Sequence, residues 1–373
     1  MFNRQKIRSF EDKIGIWFSM FFCKLASLFV NKDRLLIKGF YKNTKQVVKK
    51  YNLNQIQIYP QIHANLALPK TYDYIHEEFS HTEVIFPEET VVQISAARVY
   101  GWEGLLVLPD NMGVLDVNIM GNAYKSLKKI GKVAAPFYLE GNSVFLCTNW
   151  SNFYYHWIID LLPKLHLLQK SGLQVNHYIV NGIMHDFQRQ ALDLAGIPKD
   201  KIIETEKFLN IKCENLIVPS QPGYMGFCPK WACDYLKELL AGDIADSSPI
   251  NIYISRSKAS QRKILNEDEV FEFLSEKNFH RVYLEELLLK DQIKLFKNAR
   301  MIIAPHGSGL TNIVFSNSGT KLVEIFSPTY MEPCYWRLAN ALELDYSYIL
   351  GRENVENHNI IVDIEKLKNI LEK

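Results

Sequence analysis

The stretch from residue 250 to residue 328 alternates strand patterns with helix patterns, and this alternation limits the possible folds more than any other feature of the chain. Short β-branched and apolar runs that predict strands occupy residues 250–254, 281–284, 301–304 and 321–326. Asn266, followed by three acidic residues, predicts the start of the first helix, and residues 288–298 predict the second. Such alternation predicts right-handed crossovers and a parallel sheet, with ligands bound beyond the carboxyl ends of the strands.

A glycine-rich turn follows the third strand pattern. It consists of His306, Gly307, Ser308, Gly309, Leu310, Thr311 and Asn312. Glycines let backbone N–H groups approach a ligand without a Cβ in the way, and the start of a helix favours an anion. The turn alone fits a tight strand-to-helix connection as well as it fits a phosphate site.

Charged residues near the predicted strand ends favour the phosphate site. Arg256, Lys258 and Arg262 follow the first strand, and their side chains could bind the same diphosphate as the turn. Taken singly, Lys258 and Arg262 also fit solvated surface cations. Glu324, in the fourth strand, could accept hydrogen bonds from two vicinal ribose hydroxyls or could be a plain edge-strand charge.

A second dense segment lies at residues 149–165. His156 and Asp160 are four positions apart, so on a helix they share a face and could form a hydrogen-bonded pair. The pair could simply satisfy itself at a half-buried helix start. It could also supply a general base at a cleft, and the sequence does not decide which residue would act. Trp150, Tyr154 and Tyr155 fit core positions, although aromatic faces also stack on sugar rings.

Composition excludes several classes of protein. With 373 residues, 47% of them hydrophobic, the chain can bury two cores, and a net charge of +2 gives no reason to expect a nucleic-acid partner. Six cysteines lack zinc-finger spacing, and no Asp-x-Asp follows a predicted strand where a metal-bridged diphosphate would need it. We therefore expect buried thiols in a reducing cytosol and no metal site.

The N-terminus carries an apolar, aromatic segment at residues 14–30 with a lysine in its middle and basic residues on both sides. The segment is short for a membrane span. Its pattern favours a helix lying on an anionic membrane surface, and a signal anchor or a helix docked on the first domain are the alternatives. We expect a cytoplasmic protein held peripherally at the inner leaflet.

These motifs, in this order, resemble glycosyltransferase family 61 between residue 149 and residue 326. The motifs that carry the resemblance are Asn152-x3-His156-Trp157-x2-Asp160-x2-Pro163, Ile254-Ser255-Arg256, Arg262, Asn266-Glu267, Gln292-Ile293, the turn from His306 to Asn312, and Glu324. The resemblance implies a GT-B architecture, which is an α/β fold of two facing Rossmann-like domains with parallel sheets. It also implies inverting transfer of a sugar from a nucleotide donor without an essential metal or other cofactor.

The resemblance organises the chain into four predicted parts. They are a basic and apolar N-terminal segment at residues 1–50, an acceptor domain at 51–245, a nucleotide-sugar domain at 246–328, and C-terminal helices at 329–373 that pack back on the first domain. We expect a UDP-linked donor, bound by the cations and the turn, and a glycan or lipid-linked glycan acceptor in capsular or surface polysaccharide synthesis. Asp160 or His156 would be the base, with Asp160 slightly preferred.

Two other functions fit the sequence less well. One is a nucleotide-binding module that keeps the cradle without turnover, and the other is a nucleotide-sugar dehydrogenase or epimerase. No Gly-x-Gly-x-x-Gly follows an early strand, which disfavours the dehydrogenase, and the His156 and Asp160 pair disfavours the inactive module.

Overall fold

The computed structural model describes residues 39–117, 135–223, 226–352 and 356–372. Within these ranges the protein is an α/β structure with two large sheets and a small two-stranded sheet. The N-terminal segment at residues 14–30 lies outside the described residues. No helix of the described ranges combines the length and the apolar character that crossing a bilayer requires.

The strands and helices are numbered in chain order. The strands are β1 Gly39–Tyr41, β2 Gln55–Tyr59, β3 Ile62–Asn65, β4 Lys70–Thr71, β5 Glu83–Phe86, β6 Glu89–Ser95, β7 Arg98–Tyr100, β8 Leu105–Val107, β9 Met112–Val114, β10 Phe137–Phe145, β11 His177–Val180, β12 Ile202–Glu204, β13 Asn210–Pro219, β14 Ile250–Ile254, β15 Phe279–Val282, β16 Ala299–Pro305, β17 Lys321–Phe326 and β18 Asp345–Leu350. The α-helices are α1 Thr44–Tyr51, α2 Lys164–Ser171, α3 Asp186–Leu194, α4 Lys230–Ala241, α5 Glu267–Ser275, α6 Leu289–Lys297, α7 Cys334–Ala341 and α8 Ile364–Leu371. Shorter helices are the 3₁₀ helices Glu77–Phe79, Lys199–Lys201, Leu284–Glu286, Ser308–Phe315 and Glu356–His358, and the π-helix His156–Leu161.

The first sheet is mixed rather than parallel. Its path is β1-β9-β8-β7-β13-β10-β11-β12, and β6 joins β13 and β2 beside it. The strands β13, β10, β11 and β12 run parallel, but β6 and β7 pair with β13 in the antiparallel sense. The prediction of parallel sheets is therefore wrong for the early strands of this sheet. Short loops join β7, β8 and β9 as an antiparallel meander.

The second sheet is parallel throughout, in the order β15-β14-β16-β17-β18-β4. The predicted alternation of strands and helices is confirmed, with one shift in position. The strand expected at residues 281–284 is Phe279–Val282, because Asn278 takes a left-handed conformation that turns the chain directly into the strand. Leu284 then begins a 3₁₀ turn and is buried.

The C-terminal tail contributes a strand and a helix to the second sheet and its core. The strand β18 pairs with β17, and α8 buries Leu367 and Ile370 in the core of the second sheet. Part of the tail does contact the early chain, since Trp336 Nε1 donates a hydrogen bond to the Ala67 carbonyl at 2.8 Å. The early strand β4 in turn extends the second sheet beside β18. The proposed division into domains stays a prediction.

One continuous apolar cluster joins the two large sheets. Trp157 and Leu165 from the early half, and Ile302 and Phe315 from the later half, belong to this cluster, and all four are buried. Helix α4 packs against α6 and against the 3₁₀ helix Ser308–Phe315. An irregular connection at residues 242–249 then leads from α4 into β14. The cysteines within the described residues, Cys147, Cys213, Cys228, Cys233 and Cys334, are buried free thiols, as predicted.

Candidate active site

The carboxyl ends of neighbouring parallel strands bring the predicted cationic residues and the glycine-rich turn to one sheet edge. Strand β14 ends just before Ser255 and Arg256, and its neighbour β16 ends just before His306 and Gly307. Glu324 lies near the end of β17, which pairs with β16 on the other side. The shared edge that the strand order predicted is therefore confirmed.

Gly307 and Arg256 are in direct contact. A Cβ added at Gly307 would lie 2.1 Å from Nη1 of Arg256 and 2.7 Å from its Cζ. The φ angle of Gly307 is 167°, which is extended backbone that any residue adopts. Glycine is needed here because the guanidinium occupies the space of a side chain, and not because of its conformational freedom.

Two guanidinium groups in this cluster lack a counterion among the described residues. Arg256 donates from Nη2 to the Gln261 carbonyl at 3.2 Å, while its buried Nε has no partner. The buried Nε of Arg262 also has no partner, and its guanidinium lies 4.8 Å from the centre of the Tyr330 ring. No described carboxylate lies within 4.0 Å of either guanidinium. Burial, and then the charge of Arg262, lower the pKa of Arg256.

Such an arrangement favours an anion. Buried cations are costly unless an opposite charge accompanies them, so two adjacent guanidinium groups without one form a site that a phosphate or carboxylate would stabilise. The 3₁₀ helix Ser308–Phe315 begins beside them, and its first amides, those of Ser308 and Gly309, have no acceptor within the helix. Ser308 is exposed and Gly309 is half-buried, so these amides are open to a ligand.

The later residues of the turn are structural. Leu310 and Thr311 are buried, and Leu310 belongs to the apolar cluster. Asn312 is fully buried, donates to the Gln292 side chain at 2.9 Å and to the Gly309 carbonyl at 3.1 Å, and accepts from the Tyr154 hydroxyl at 2.5 Å. The side chain of Asn312 therefore holds the turn in this structure, and its predicted contact with a donor stays a prediction.

Glu324 has two buried partners, and its predicted contact with a ribose stays a prediction. It is fully buried, and its two oxygens accept hydrogen bonds from Nδ1 of His306 and from the Tyr346 hydroxyl, both at 2.6 Å. Because Glu324 is fully buried, ribose hydroxyls cannot reach its remaining lone pairs in this conformation. Glu324 instead orients His306, whose ring stacks on Phe326 with ring centres 5.2 Å apart. The sequence offered no signal for this buried pair, since eighteen positions separate its members.

Lys258 lies at the rim of the cluster. Its ammonium binds Glu286 and lies 4.9 Å from the centre of the Tyr283 ring, and about half of the side chain is exposed. The side-chain hydrogen bond to Glu286 raises the pKa of Lys258. The structure favours a surface cation over a phosphate-binding residue at Lys258, because Glu286 already neutralises its charge.

His156 and Asp160 form the hydrogen-bonded pair that their spacing predicted. Nδ1 of His156 lies 2.6 Å from Oδ2 of Asp160, and both side chains are partly exposed. They lie on the π-helix His156–Leu161, in which the amide of Leu162 donates to the Trp157 carbonyl five residues back. Pro163 has no N–H for the regular bond and its ring crowds the preceding turn, which explains the local widening. Such widened turns occur frequently at functional sites.

Two further polar side chains lie near this pair, one half-buried and one fully buried. The Gln221 side chain donates to the Asp160 carbonyl at 3.4 Å. Lys164, four residues after Asp160, is fully buried and donates from Nζ to the Cys147 carbonyl at 2.7 Å. Burial lowers the pKa of Lys164 to about 8, while nearby Cys147 and Asp160 raise it. Lys164 and Asp160 are therefore close enough to influence each other electrostatically.

A series of aromatic contacts connects the His156 pair with the cationic cluster. Tyr155 contacts His156 with ring centres 5.3 Å apart, Tyr155 contacts Tyr335 at 6.0 Å, and Tyr335 contacts His306 at 5.2 Å. The hydrogen bond from Tyr154 to Asn312 joins the same two segments. The structure thus brings the early pair and the later cluster into one region. Sequence patterns missed Tyr335, whose helix reads as ordinary core.

The described residues contain no group of three or more His, Cys, Asp or Glu side chains arranged to hold a metal ion. Arg256, Arg262 and the turn amides are donors, which suit an anionic ligand, and none of them ligates a metal. The expectation of transfer without an essential metal stays a prediction.

Comparisons with known proteins agree with the resemblance. Residues 154–323, a little under half of the chain, match the model of the family Glycosyltransferase 61. A beta-1,2-xylosyltransferase of Arabidopsis thaliana is 30% identical over 125 residues, which cover 30% of this chain and 23% of that protein. Protein O-linked-mannose beta-1,4-N-acetylglucosaminyltransferase 2 of Mus musculus is 29% identical over 111 residues, which cover 28% of this chain and 19% of that protein.

The matched stretch contains His156, Asp160, the cations and the turn, and it ends one residue before Glu324. The chain spans less than a quarter of the length of these two relatives. The comparisons therefore show similarity to family 61 over the stretch that contains most of the candidate site.

Proposed function

We propose that this protein is an inverting glycosyltransferase of GT-B type. It would transfer the sugar of a UDP-linked donor to a glycan acceptor. One observation carries the proposal. Two half-buried arginines, Arg256 and Arg262, have buried Nε atoms without a partner and no counterion among the described residues, and they lie beside the amides of a helix start and in the same region as an accessible His–carboxylate pair. The cationic groups fit a leaving diphosphate, and the pair fits a base for the attacking hydroxyl.

His156 is the base in this proposal, and Asp160 orients it. A carboxylate accepts hydrogen bonds, so the short contact between Nδ1 and Asp160 places the proton of neutral His156 on Nδ1 and leaves a lone pair on Nε2. His156 is also the more exposed of the two side chains, at 24% against 15%. The geometry therefore favours His156 over Asp160, which the sequence had slightly favoured.

The reaction proceeds by a single displacement. Nε2 of His156 accepts the proton of an acceptor hydroxyl while that oxygen forms a bond to the anomeric carbon of the donor. The bond from the anomeric carbon to the diphosphate oxygen breaks, and its electron pair leaves with the diphosphate. Arg256, Arg262 and the amides of Ser308 and Gly309 stabilise the growing negative charge. Attack from the side opposite the leaving group inverts the anomeric configuration.

The proposed cellular role depends on the sequence of the N-terminal segment and on the family resemblance. The basic and aromatic pattern at residues 14–30 favours a position on the inner leaflet, and together with the family resemblance it favours capsular or surface polysaccharide synthesis. Washing membranes with carbonate tests the placement, because an interfacial helix is released while a spanning helix stays.

Donor binding tests the proposal directly. We expect wild-type protein to bind UDP in calorimetry and to release nucleoside diphosphate from at least one nucleotide sugar, with faster release when a glycan extract is added. Arg256→Ala should weaken UDP binding by roughly 10- to 100-fold, since it removes charge-assisted hydrogen bonds. Arg300→Ala is the matched control, because Arg300 lies near the opposite end of β16 and bonds to Asn251.

Two outcomes would contradict the proposal. Equal UDP affinity in wild type and Arg256→Ala would show that the cluster does not bind the diphosphate. Tight UDP binding without turnover of any nucleotide sugar in a broad panel would instead favour the inactive module.

A further inference from the structure

Trp150 is an exposed aromatic residue in an unfavourable backbone conformation next to the proposed base. Its φ angle is 53°, in the left-handed region that bulky residues rarely adopt. Its indole ring is 37% exposed and lies with its centre 5.2 Å from that of the His156 imidazole, tilted by 39°. A strained residue at such a place is a reason to look for a function.

The surrounding turn holds the indole in this position. The amide of Thr148 donates to Asn181 at 2.8 Å, and the buried Gln188 side chain donates to the Ser151 carbonyl at 3.0 Å. The amide of Phe153 donates to the Trp150 carbonyl at 2.8 Å and closes the turn. Hydrogen bonds on both sides of Trp150 therefore maintain a conformation that the residue itself disfavours.

Phe153, at the other end of the same turn, is 54% exposed. Two large aromatic side chains of one turn are thus exposed to solvent, and one of them, Trp150, lies against the His156 ring. Burial in the core would stabilise the fold more than this exposure does. The negative face of an aromatic ring attracts the partly positive C–H groups on one face of a pyranose ring. A pyranose lying on the indole would have its hydroxyl groups beside the imidazole.

We infer that Trp150, with Phe153, forms the acceptor subsite and binds a pyranose unit of the glycan by stacking. The inference rests on the proposed function, since it assigns the substrate class on the acceptor side of the same site. Trp150 sets which sugar face meets the base, and His156 then accepts the proton of a hydroxyl at the rim of that sugar.

Saturation-transfer NMR tests the subsite without requiring turnover. The probes are the methyl pyranosides of β-D-galactose, β-D-glucose, α-D-mannose and β-D-xylose, each added to the full chain with saturating UDP. We expect wild type to transfer saturation to at least one pyranoside, most strongly to protons on one face of the ring. Trp150→Gly should reduce that signal at least fivefold, and Trp150→Phe should retain part of it.

Tyr138→Ala is the matched control, because Tyr138 is 53% exposed at the opposite end of β10 and should leave the signal unchanged. Glycine adopts the left-handed conformation without strain, which offsets part of the lost indole packing, so Trp150→Gly should remain folded and keep its UDP affinity. An unchanged pyranoside signal in Trp150→Gly, or no signal with any probe in wild type, would overturn the inference.

UDP titrations of the same samples separate the two proposals. Wild type that fails to bind UDP contradicts the proposed function, whatever the pyranosides show. Normal UDP binding together with a Trp150-independent pyranoside signal contradicts the acceptor subsite alone. A lower melting temperature and weaker UDP binding in Trp150→Gly would also overturn the subsite, by showing that Trp150 only supports the fold.

Discussion

Gly307→Ala is the substitution that tests the contact between the turn and Arg256 most sharply. The new Cβ would start 2.1 Å from Nη1 of Arg256, and ordinary van der Waals contact begins at 3.4 Å. The guanidinium or the turn must therefore move by about 1.3 Å. A charge-assisted hydrogen bond to phosphate loses most of its strength over such a displacement, which corresponds to about 1.5–3 kcal/mol, or a 10- to 150-fold weaker UDP affinity.

Calorimetry with UDP and a thermal unfolding scan measure the two consequences. Gly307→Ala is compatible with the extended backbone at this position, so the fold should lose no more than the roughly 1–3 kcal/mol that overpacking costs. Gly309→Ala is the comparison variant, since its Cβ would meet the flexible apolar side chain of Leu284, with Cδ1 at 2.7 Å and Cγ at 4.0 Å, and not Arg256. It should weaken UDP binding less.

A double-mutant cycle identifies the cause. If Gly307→Ala acts by displacing Arg256, adding it to Arg256→Ala should cost little further affinity, because the displaced group is already gone. If the two losses of affinity were fully additive, or if Gly307→Ala bound UDP as well as wild type does, Gly307→Ala would not act by displacing Arg256.

Three further predictions concern the carboxylates. Burial raises the pKa of Glu89 from 4.5 to about 7, so the folded state retains a proton that the unfolded state releases, and stability should fall by about 3 kcal/mol as the pH rises through that window. Urea unfolding at pH 5 and pH 8 should show that Glu89→Gln lacks this loss, and an equal loss in both proteins would count against it. Glu324→Gln should cost about 1.5–3 kcal/mol of stability and weaken UDP and pyrophosphate binding alike, because it disturbs His306, whereas a loss confined to UDP would point to a ribose contact. Asp160→Asn should lower kcat by about 100-fold or more through the orientation of His156 and change UDP affinity by no more than about twofold, and near-normal kcat would exclude this role.

The order of the predicted strands and helices was the most useful sequence feature for locating the candidate site. The alternation of strands and helices predicted that Arg256 and His306 meet at one edge, because neighbouring parallel strands end together. The i, i+4 spacing likewise predicted the pair of His156 and Asp160, because both members lie on one helix. Both predictions depend on local periodicity, which a single sequence records directly.

The sequence could not show whether a polar side chain at the site already has hydrogen-bond partners within the fold. Glu324 and Asn312 lie in the expected region, but His306, Tyr346, Tyr154 and Gln292 already occupy their hydrogen-bonding groups. Those partners come from distant parts of the chain, and the sequence carries no local signal for them. The mixed pairing of the first sheet escaped prediction for the same reason, since it depends on which strands meet rather than on the pattern within each.

A crystal structure of the protein with UDP would show whether the arginines and the turn bind the diphosphate. We expect the diphosphate oxygens to lie within about 3.2 Å of the guanidinium of Arg256 or Arg262 and of the amides of Ser308 and Gly309, with His156 on the same side of the protein. A UDP molecule whose phosphates contact none of these groups, or which binds on a face of the protein away from His156, would contradict this expectation.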